Sequence, residues 1–341
     1  MKWSEYKQNF IKECKISNKT DEFIEDKLKY AKKLFKQNLP VIYDEEHLSL
    51  LIGYNLEYLY KVSNSQKNFY RTFEILKKNS KVRVINEPLP NLKEIQHWIL
   101  ENILYKLPIN PYIKSYIKGR TIKDNAKFHR DQKVLLTLDV KNYFPSISSN
   151  KVFKFFLKLG YNKTVTLFLT NLCVLNKSIP QGSPTSPMLS NLLTQNIDNR
   201  ISKFSKKIGI RYTRYADDLT FSGDFNPGKV IRIVGNILED EGFKINPDKT
   251  RTRRKNQRQE VTGIVVNKKM QVNNTLRRRI RQEIYYIDKN GLESHLERIN
   301  ESENLNYIEK LIGLNEFVLF VNPKDENSIK NRRKLMEFKN K

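Results

Sequence analysis

Three aspartates stand where their carboxylates could act together. Asp217 and Asp218 are adjacent within Arg211-Tyr212-Thr213-Arg214-Tyr215-Ala216-Asp217-Asp218-Leu219-Thr220-Phe221-Ser222, two short aromatic and β-branched runs that read as strands turning at the acidic pair. Asp139 ends Val134-Leu135-Leu136-Thr137-Leu138, a run of the buried-strand type. Most Asp-Asp pairs are solvated turns, but carboxylates at a hairpin tip cannot enter a core unpaired and stay presented to whatever lies above. Asp139 and Asp217 converge if their strands are neighbours in one antiparallel sheet. Unit charges about 4 Å apart repel by about 4 kcal/mol at an effective dielectric near 20, so without a cation one carboxylate would protonate. Magnesium relieves the repulsion, being small, octahedral and readily shared among a few oxygen ligands. The chemistry implied is metal-assisted displacement at phosphorus.

The totals agree with a polyanionic partner. The 341 residues suffice for two or three packed subdomains, and 63 Lys and Arg against 37 Asp and Glu leave a net charge of +26. No apolar run approaches the length of about 18 residues that a membrane span needs, and Met1 to Lys12 has no apolar centre of a signal peptide. Neither membrane nor export is therefore expected. Cys14 and Cys173 are too few for a disulfide framework or a cysteine zinc site and suit a reducing cytoplasm. Glycine and proline are sparse and no internal repeat is present.

The elements that must position the aspartates follow from periodicity. Residues 1–60 carry helical stripes, Phe23, Leu28, Ala31, Leu34 and Phe35, then Leu48, Leu51, Ile52, Leu56 and Leu59. A strand pair is expected over 68–75 and 81–85 around a basic turn, then a helix from Leu92 to Leu107. Pro180-Gln181-Gly182-Ser183-Pro184-Thr185-Ser186-Pro187 is a stiff loop before a single helix, with Ser186 as N-cap and Leu189, Leu193, Ile197, Ile201, Phe204 and Ile208 along one stripe. Gly182 allows the backbone to approach a ligand closely. A helix ended by Gly242, a short strand over 243–246 and a basic turn over 247–251 come next. A hairpin over 259–272 precedes a helix from Thr275 that places Leu276, Ile280, Ile284 and Ile287 on one side. Arg277, Arg278, Arg279 and Arg281 lie elsewhere on that helix, a charge density that favours nucleic acid over plain solubility.

Asp139 at a strand end, then Pro180-Gln181-Gly182, then Tyr215-Ala216-Asp217-Asp218 together resemble the palm of a reverse transcriptase, from about residue 65 to the C-terminus. The resemblance implies an α+β right-hand polymerase fold with fingers, an antiparallel palm sheet and a helical thumb. Its boundaries would be 1–133 for N-terminal helices and fingers, 134–258 for a palm with part of the fingers inserted, and 259–341 for a primer-grip hairpin and thumb. It implies two magnesium ions, replaceable by manganese, on Asp139, Asp217 and the main-chain carbonyl of Val140, with Asp218 more loosely involved. Lys81 and Arg83 would clamp the triphosphate of an incoming deoxynucleotide. Phe144 would exclude a ribose 2′-hydroxyl, and Gln181 and Gly182 would meet the sugar and templating base. Lys249 would protonate the leaving pyrophosphate.

Asn125-Ala126-Lys127-Phe128-His129 looks like the Asn-Ala-x-x-His signature of retron reverse transcriptases, and Val261-Thr262-Gly263 like their Val-Thr-Gly. The resemblance implies a bacterial enzyme that recognises its own structured noncoding RNA through Asn125, His129, Val261, Thr262, Gly263 and the Arg277–Arg281 cluster. It would start from a guanosine 2′-hydroxyl and copy part of that RNA into single-stranded DNA. Enzyme and hybrid would restrain an antiphage effector, expected on a separate polypeptide because the sequence stops soon after the thumb. A group II intron enzyme would carry a further region after the thumb and lacks both signatures. A non-polymerising RNA scaffold has no reason to hold three carboxylates together.

Overall fold

The structure is a computed structural model and describes residues 2–76, 82–301 and 304–340. In chain order the helices are α1 (Trp3–Ile16), α2 (Asp21–Phe35), α3 (Glu45–Ile52), α4 (Leu56–Asn64), α5 (Pro90–Asn102), α6 (Ile122–Phe128), α7 (Ser149–Leu159), α8 (Lys163–Cys173), α9 (Ser186–Leu193), α10 (Gln195–Lys207), α11 (Pro227–Asp240), α12 (Asn274–Asn290), α13 (Leu292–Arg298), α14 (Tyr307–Val321) and α15 (Glu326–Lys339). The strands are β1 (Tyr70–Leu76), β2 (Val82–Pro88), β3 (Val134–Val140), β4 (Arg211–Tyr215), β5 (Asp218–Gly223), β6 (Ile245–Arg254), β7 (Glu260–Val261), β8 (Ile264–Val265) and β9 (Gln271–Val272). Many helices start on a polar residue that takes up an orphan backbone N–H: Thr20, Asp44, Asn55, Ser148 and Asn162 each accept from the third helical residue.

Two contact units emerge. The first comprises residues 1–117, 140–200 and 235–244. Its buried helix α8 packs against α3, α4, α5 and α7, and β1 and β2 form an antiparallel hairpin. The expected helix over 186–208 is two helices here, broken at Thr194. The Thr194 hydroxyl donates to the Ser190 carbonyl at 2.7 Å, a back-bond of the kind that bends helices.

The second unit comprises residues 118–139, 201–234 and 245–341. Its sheet runs β4-β5-β3-β6, with β5 antiparallel to both β4 and β3. Strand β6 is longer than the short strand and basic turn expected there. Pro247 does not stop it because β6 lies at the sheet edge, where a missing N–H breaks no ladder. A small sheet β7-β8-β9 and helices α12–α15 share a core that includes Val261, Ile264, Ile280, Ile284, Leu311 and Val318.

Inside that core Glu283 of α12 accepts from Tyr307 Oη at 2.8 Å, Arg279 Nε at 3.3 Å and His295 Nε2 at 2.7 Å, tying α12, α13 and α14 together. Burial opposes its ionisation, yet these partners outweigh burial and hold the carboxyl below the ordinary Glu range. A folded pKa below the unfolded one contributes stability above about pH 4.3, lost as pH falls through the lowered folded value. Glu283→Gln should therefore cost about 1–3 kcal/mol at neutral pH and flatten the acid limb of a urea-midpoint-versus-pH curve. An unchanged acid limb would remove Glu283 as its source.

Candidate active site

The carboxylates owe their positions to strand register. Asp139 faces Asp218 across β3 and β5, Thr137 faces Thr220, and Leu135 faces Ser222. Alternation puts these six residues on one face of the sheet and turns Leu136, Leu138, Leu219 and Phe221 to the other. That other face is buried, and Tyr212 stacks on Phe221 with centroids 5.0 Å apart. The hairpin turns at Ala216 and Asp217, one residue earlier than the turn expected at the acidic pair, and Asp218 already begins β5. Ala216 is held at φ 57°, unusual for a residue with a Cβ. The buried Arg214 donates to the Ala216 carbonyl at 3.1 Å and helps hold the strained tip.

Asp139 is buried and fully engaged by the edge strand: Lys249 Nζ lies 2.6 Å from one oxygen and Asn246 Nδ2 donates to the other at 3.0 Å. Lost hydration first, then the charges of Asp217 and Asp139, push the Asp218 carboxyl up to about 7 against the pull of Lys249. Part of Asp218 remains exposed, and water there screens those charges. Burial works against the Lys249 ammonium, but the bond to Asp139 and the nearby Asp217 and Asp218 raise its pKa overall. Among the described residues no three His, Cys, Asp or Glu side chains stand as a ready-made metal cage. The donor set nonetheless fits a hard cation. It offers carboxylate oxygens whose repulsion shows in the shift of Asp218, and Asp139 already binds a positive charge.

In the first unit, Arg83 and Gln181 line one cleft of about 290 Å³ with Asn86, Pro145, Asn176 and Pro180. Phe144 stands outside that lining, half-buried and edge-on to Tyr143 at 5.5 Å. Lys81 lies outside the described residues. Gly182 is exposed, and on its Cβ side it lies close against the protein's own backbone. With φ 117°, a Cβ there would sit 2.7 Å from the Asn86 carbonyl oxygen, and the Asn86 N–H donates to the Gln181 carbonyl at 2.7 Å.

The signature segments lie mostly inside the second unit. Asn125, Ala126 and His129 form the buried face of α6, so the side chains of Asn125 and His129 offer RNA no surface. This corrects the direct contact expected of them. Val261 is buried, and Thr262 and Gly263 form the β7–β8 turn with φ 47° and 82°. Of the four arginines on α12, Arg277 pairs with Asp325 at 2.6 Å and Arg279 with Glu283 at 3.3 Å. Exposed Arg278 and Arg281 line a cleft of about 200 Å³ with Asn274, Asn327 and Asn331.

Residues 75–266 match the family described as reverse transcriptase (RNA-dependent DNA polymerase). The retron Mx65 reverse transcriptase of Myxococcus xanthus is 30% identical over 336 residues, covering 91% of this chain and 76% of that protein. The retron Ec86 reverse transcriptase of Escherichia coli is 34% identical over 255 residues, covering 73% and 79%. The chain belongs to the retron reverse transcriptases.

This reverse transcriptase is thus an RNA-directed DNA polymerase of the right-hand type. A telomerase structure from Candida albicans with a telomeric RNA fragment matches at TM-score 0.43 and 11% identity, over 79% of this chain and 63% of that one.

Sequence reasoning missed Asn246, Arg214, Thr213 and Ser222. For Arg214 a signal existed: an arginine inside a strand, directly before the turn, needs a fixed partner. Asn246 gave none, since its role depends on β6 lying beside β3. Gly182→Ala should destabilise the fold by about 1–3 kcal/mol and so lower its urea midpoint, because the new methyl meets backbone at a positive φ. An unchanged urea midpoint would mean that the loop moves freely off β2.

Proposed function

We propose that this reverse transcriptase binds its own structured noncoding RNA, begins synthesis at the 2′-hydroxyl of a guanosine in it, and copies the adjoining stretch into single-stranded DNA from deoxynucleoside triphosphates. The observation that carries the reading is the likeness to two retron enzymes over most of the chain, joined to the two signature segments, of which one is bonded to the aspartate-bearing strands through His129 and the other to α6 through Thr262. In our assignment residues 1–133 are N-terminal helices and fingers, 134–258 the palm, and 259–341 the primer-grip hairpin and thumb. The setting is the bacterial cytoplasm, in keeping with two buried, unpaired cysteines. The RNA–DNA product and enzyme hold a separate effector protein in check during defence against phage.

Asp139, Asp217 and the Val140 carbonyl are the ligands we assign to two magnesium ions, with manganese able to replace them and Asp218 in a looser role. Bound there, the ions would stabilise charge on the attacking and leaving oxygens. To Lys249, which is bound to Asp139 at 2.6 Å, we assign the proton given to the departing pyrophosphate. Arg83, with Lys81, binds the triphosphate, Gln181 contacts the nucleotide beside it, and Phe144 selects deoxyribose.

Arg278 and Arg281 are the thumb residues we assign to RNA phosphate, because Arg277 and Arg279 are committed to carboxylates of the protein. A-form stems are read mostly by shape, phosphate and 2′-hydroxyls. Arg278→Ala and Arg281→Ala should each reduce the slope of log affinity against log salt by about 1, and a slope unmoved by both would relocate the RNA. Primer extension on the co-purified RNA tests the reaction itself. Asp217→Asn should cut DNA yield at least about a hundredfold, and equal yields would end the polymerase assignment of this site. Phe144→Ala should admit ribonucleotides in an incorporation assay, and unaltered sugar discrimination would remove the gate.

A further inference from the structure

His129 is fully buried and hydrogen-bonded through both ring nitrogens, Nδ1 to Ser222 Oγ at 2.7 Å and Nε2 to Thr213 Oγ1 at 2.7 Å. The Thr213 hydroxyl in turn donates to Asn125 Oδ1 at 2.6 Å. That donation uses the only proton of Thr213, so a neutral His129 must carry its own on Nε2 and accept at Nδ1 from Ser222. The result is one directional chain, Ser222 to His129 to Thr213 to Asn125, in which every link depends on the one before. Thr213 and Ser222 belong to β4 and β5, the two strands that meet at Ala216-Asp217. Both lie on the sheet face that carries Asp139 and Asp218: Thr213 is opposite Thr220 in mid-strand, and Ser222 is nearer the far end of β5.

The helix supplying Asn125 and His129 is itself held from the other side. A capping box fixes its start: Thr121 Oγ1 accepts from the Asp124 N–H at 3.3 Å, and Asp124 Oδ2 accepts from the Thr121 N–H at 2.8 Å. The Thr262 hydroxyl donates to the Ile122 carbonyl at 3.4 Å. A β-branched residue at φ 47° is a strained choice for a two-residue hairpin turn. The bond to α6 gives a reason for threonine where Asn or Gly would fit more easily. Lys123 Nζ reaches the Phe320 carbonyl near the end of α14 at 2.7 Å, and Ile122 and Ala126 pack into the core shared with the thumb helices.

We infer that the two signature segments form one positioning device: α6, fixed by the Thr262 turn and by α14, holds the base of the aspartate hairpin through the Ser222–His129–Thr213–Asn125 chain. His129 and Asn125 are thus positioning residues of the polymerase reaction and do not touch RNA. The inference rests on the hairpin's aspartates being catalytic, a point that Asp217→Asn tests separately. The hairpin tip is strained at Ala216 and crowded with negative charge, so a rigid base keeps its carboxylates from spreading apart. Looseness at the base should slow chemistry and leave nucleotide and RNA affinity in place.

The test compares His129→Phe, which keeps the ring volume and removes both hydrogen bonds, with His129→Gln, which retains one donor and one acceptor. Steady-state extension of oligo(dT) on poly(rA) gives kcat and KM for dTTP, filter binding to the transcribed co-purifying RNA gives affinity, and a urea titration reports folding. His129→Phe should lower kcat at least tenfold with KM and RNA affinity within about twofold, and His129→Gln should recover much of the loss. Ser222→Ala should lower kcat several-fold in the parent and add nothing in the His129→Phe background, whereas general destabilisation would make the losses multiply. Tenfold weaker RNA binding with kcat unaltered on poly(rA) would overturn the inference, as would additive losses or no rescue by glutamine. If His129→Phe does not fold, Ser222→Ala and Thr213→Val carry the same kcat-against-KM comparison. If His129→Phe retains full kcat while Asp217→Asn abolishes it, the brace fails and the catalytic site stands. If Asp217→Asn retains activity, the site assignment fails first.

Discussion

Like charges set face to face are the constraint on which the aspartate-bearing sheet depends. Asp139 and Asp218 occupy directly opposed positions on neighbouring strands, an arrangement that is destabilising unless something offsets it. The offset comes from β6, which delivers Lys249 and Asn246 to the two oxygens of Asp139. The turn adds a further cost at Ala216, met by the guanidinium of Arg214 on its carbonyl. Strain and repulsion collect at one end of the hairpin, and the means of bearing them lie elsewhere. The far face of the sheet is apolar and buried, and the base of the hairpin is bonded to α6. An edge strand suits the neutralising lysine because its ammonium can leave Asp139 without disturbing a packed core: its side chain is 57% exposed against 6% for Asp139.

The surplus of positive charge divides by the same logic of partners. A net charge of +26 suggests basic residues free for a polyanion, yet part of the arginine cluster on α12 is structural. Arg277 completes the set around Asp325, whose other oxygen accepts from the Ser328 N–H and so starts α15. Arg279 belongs to the Glu283 group that joins three helices. The exposed pair, Arg278 and Arg281, opens on a cleft whose wall also includes Arg277 and its partner Asp325. The helical region has therefore used some of its arginines to hold itself together, through Asp325 and Glu283.

Close backbone packing accounts for Gly182 in the same way. The loop before α9 docks on β2 so tightly that a side chain has no room, and the bond from Asn86 to Gln181 fixes how that loop lies beside the cleft lined by Arg83. Residues that look like ligand contacts in a linear motif can thus be what positions a neighbour.

The approach of the candidate carboxylates to one another was legible before any coordinates. Asp139, Asp217 and Asp218 could be read because strand alternation and turn chemistry are local properties, and two strands carrying acids at their meeting ends have few ways to pair. The likeness of the spaced motifs to a polymerase palm carried the rest of that reading. What Asn125 and His129 do was closed to local inspection: polar residues on a seven-residue helix look like surface, and the partners that bury His129 come from positions 84 and 93 residues away. The extent of β6 was hidden too, since a proline and exposed cations imitate a turn until a neighbouring strand shows the segment to be a sheet edge. Residue types and spacing determined which groups could do chemistry. Tertiary structure alone decided which of them face water, which face one another, and which spend their hydrogen bonds holding the others in place, because those partners are brought together only when distant segments pack.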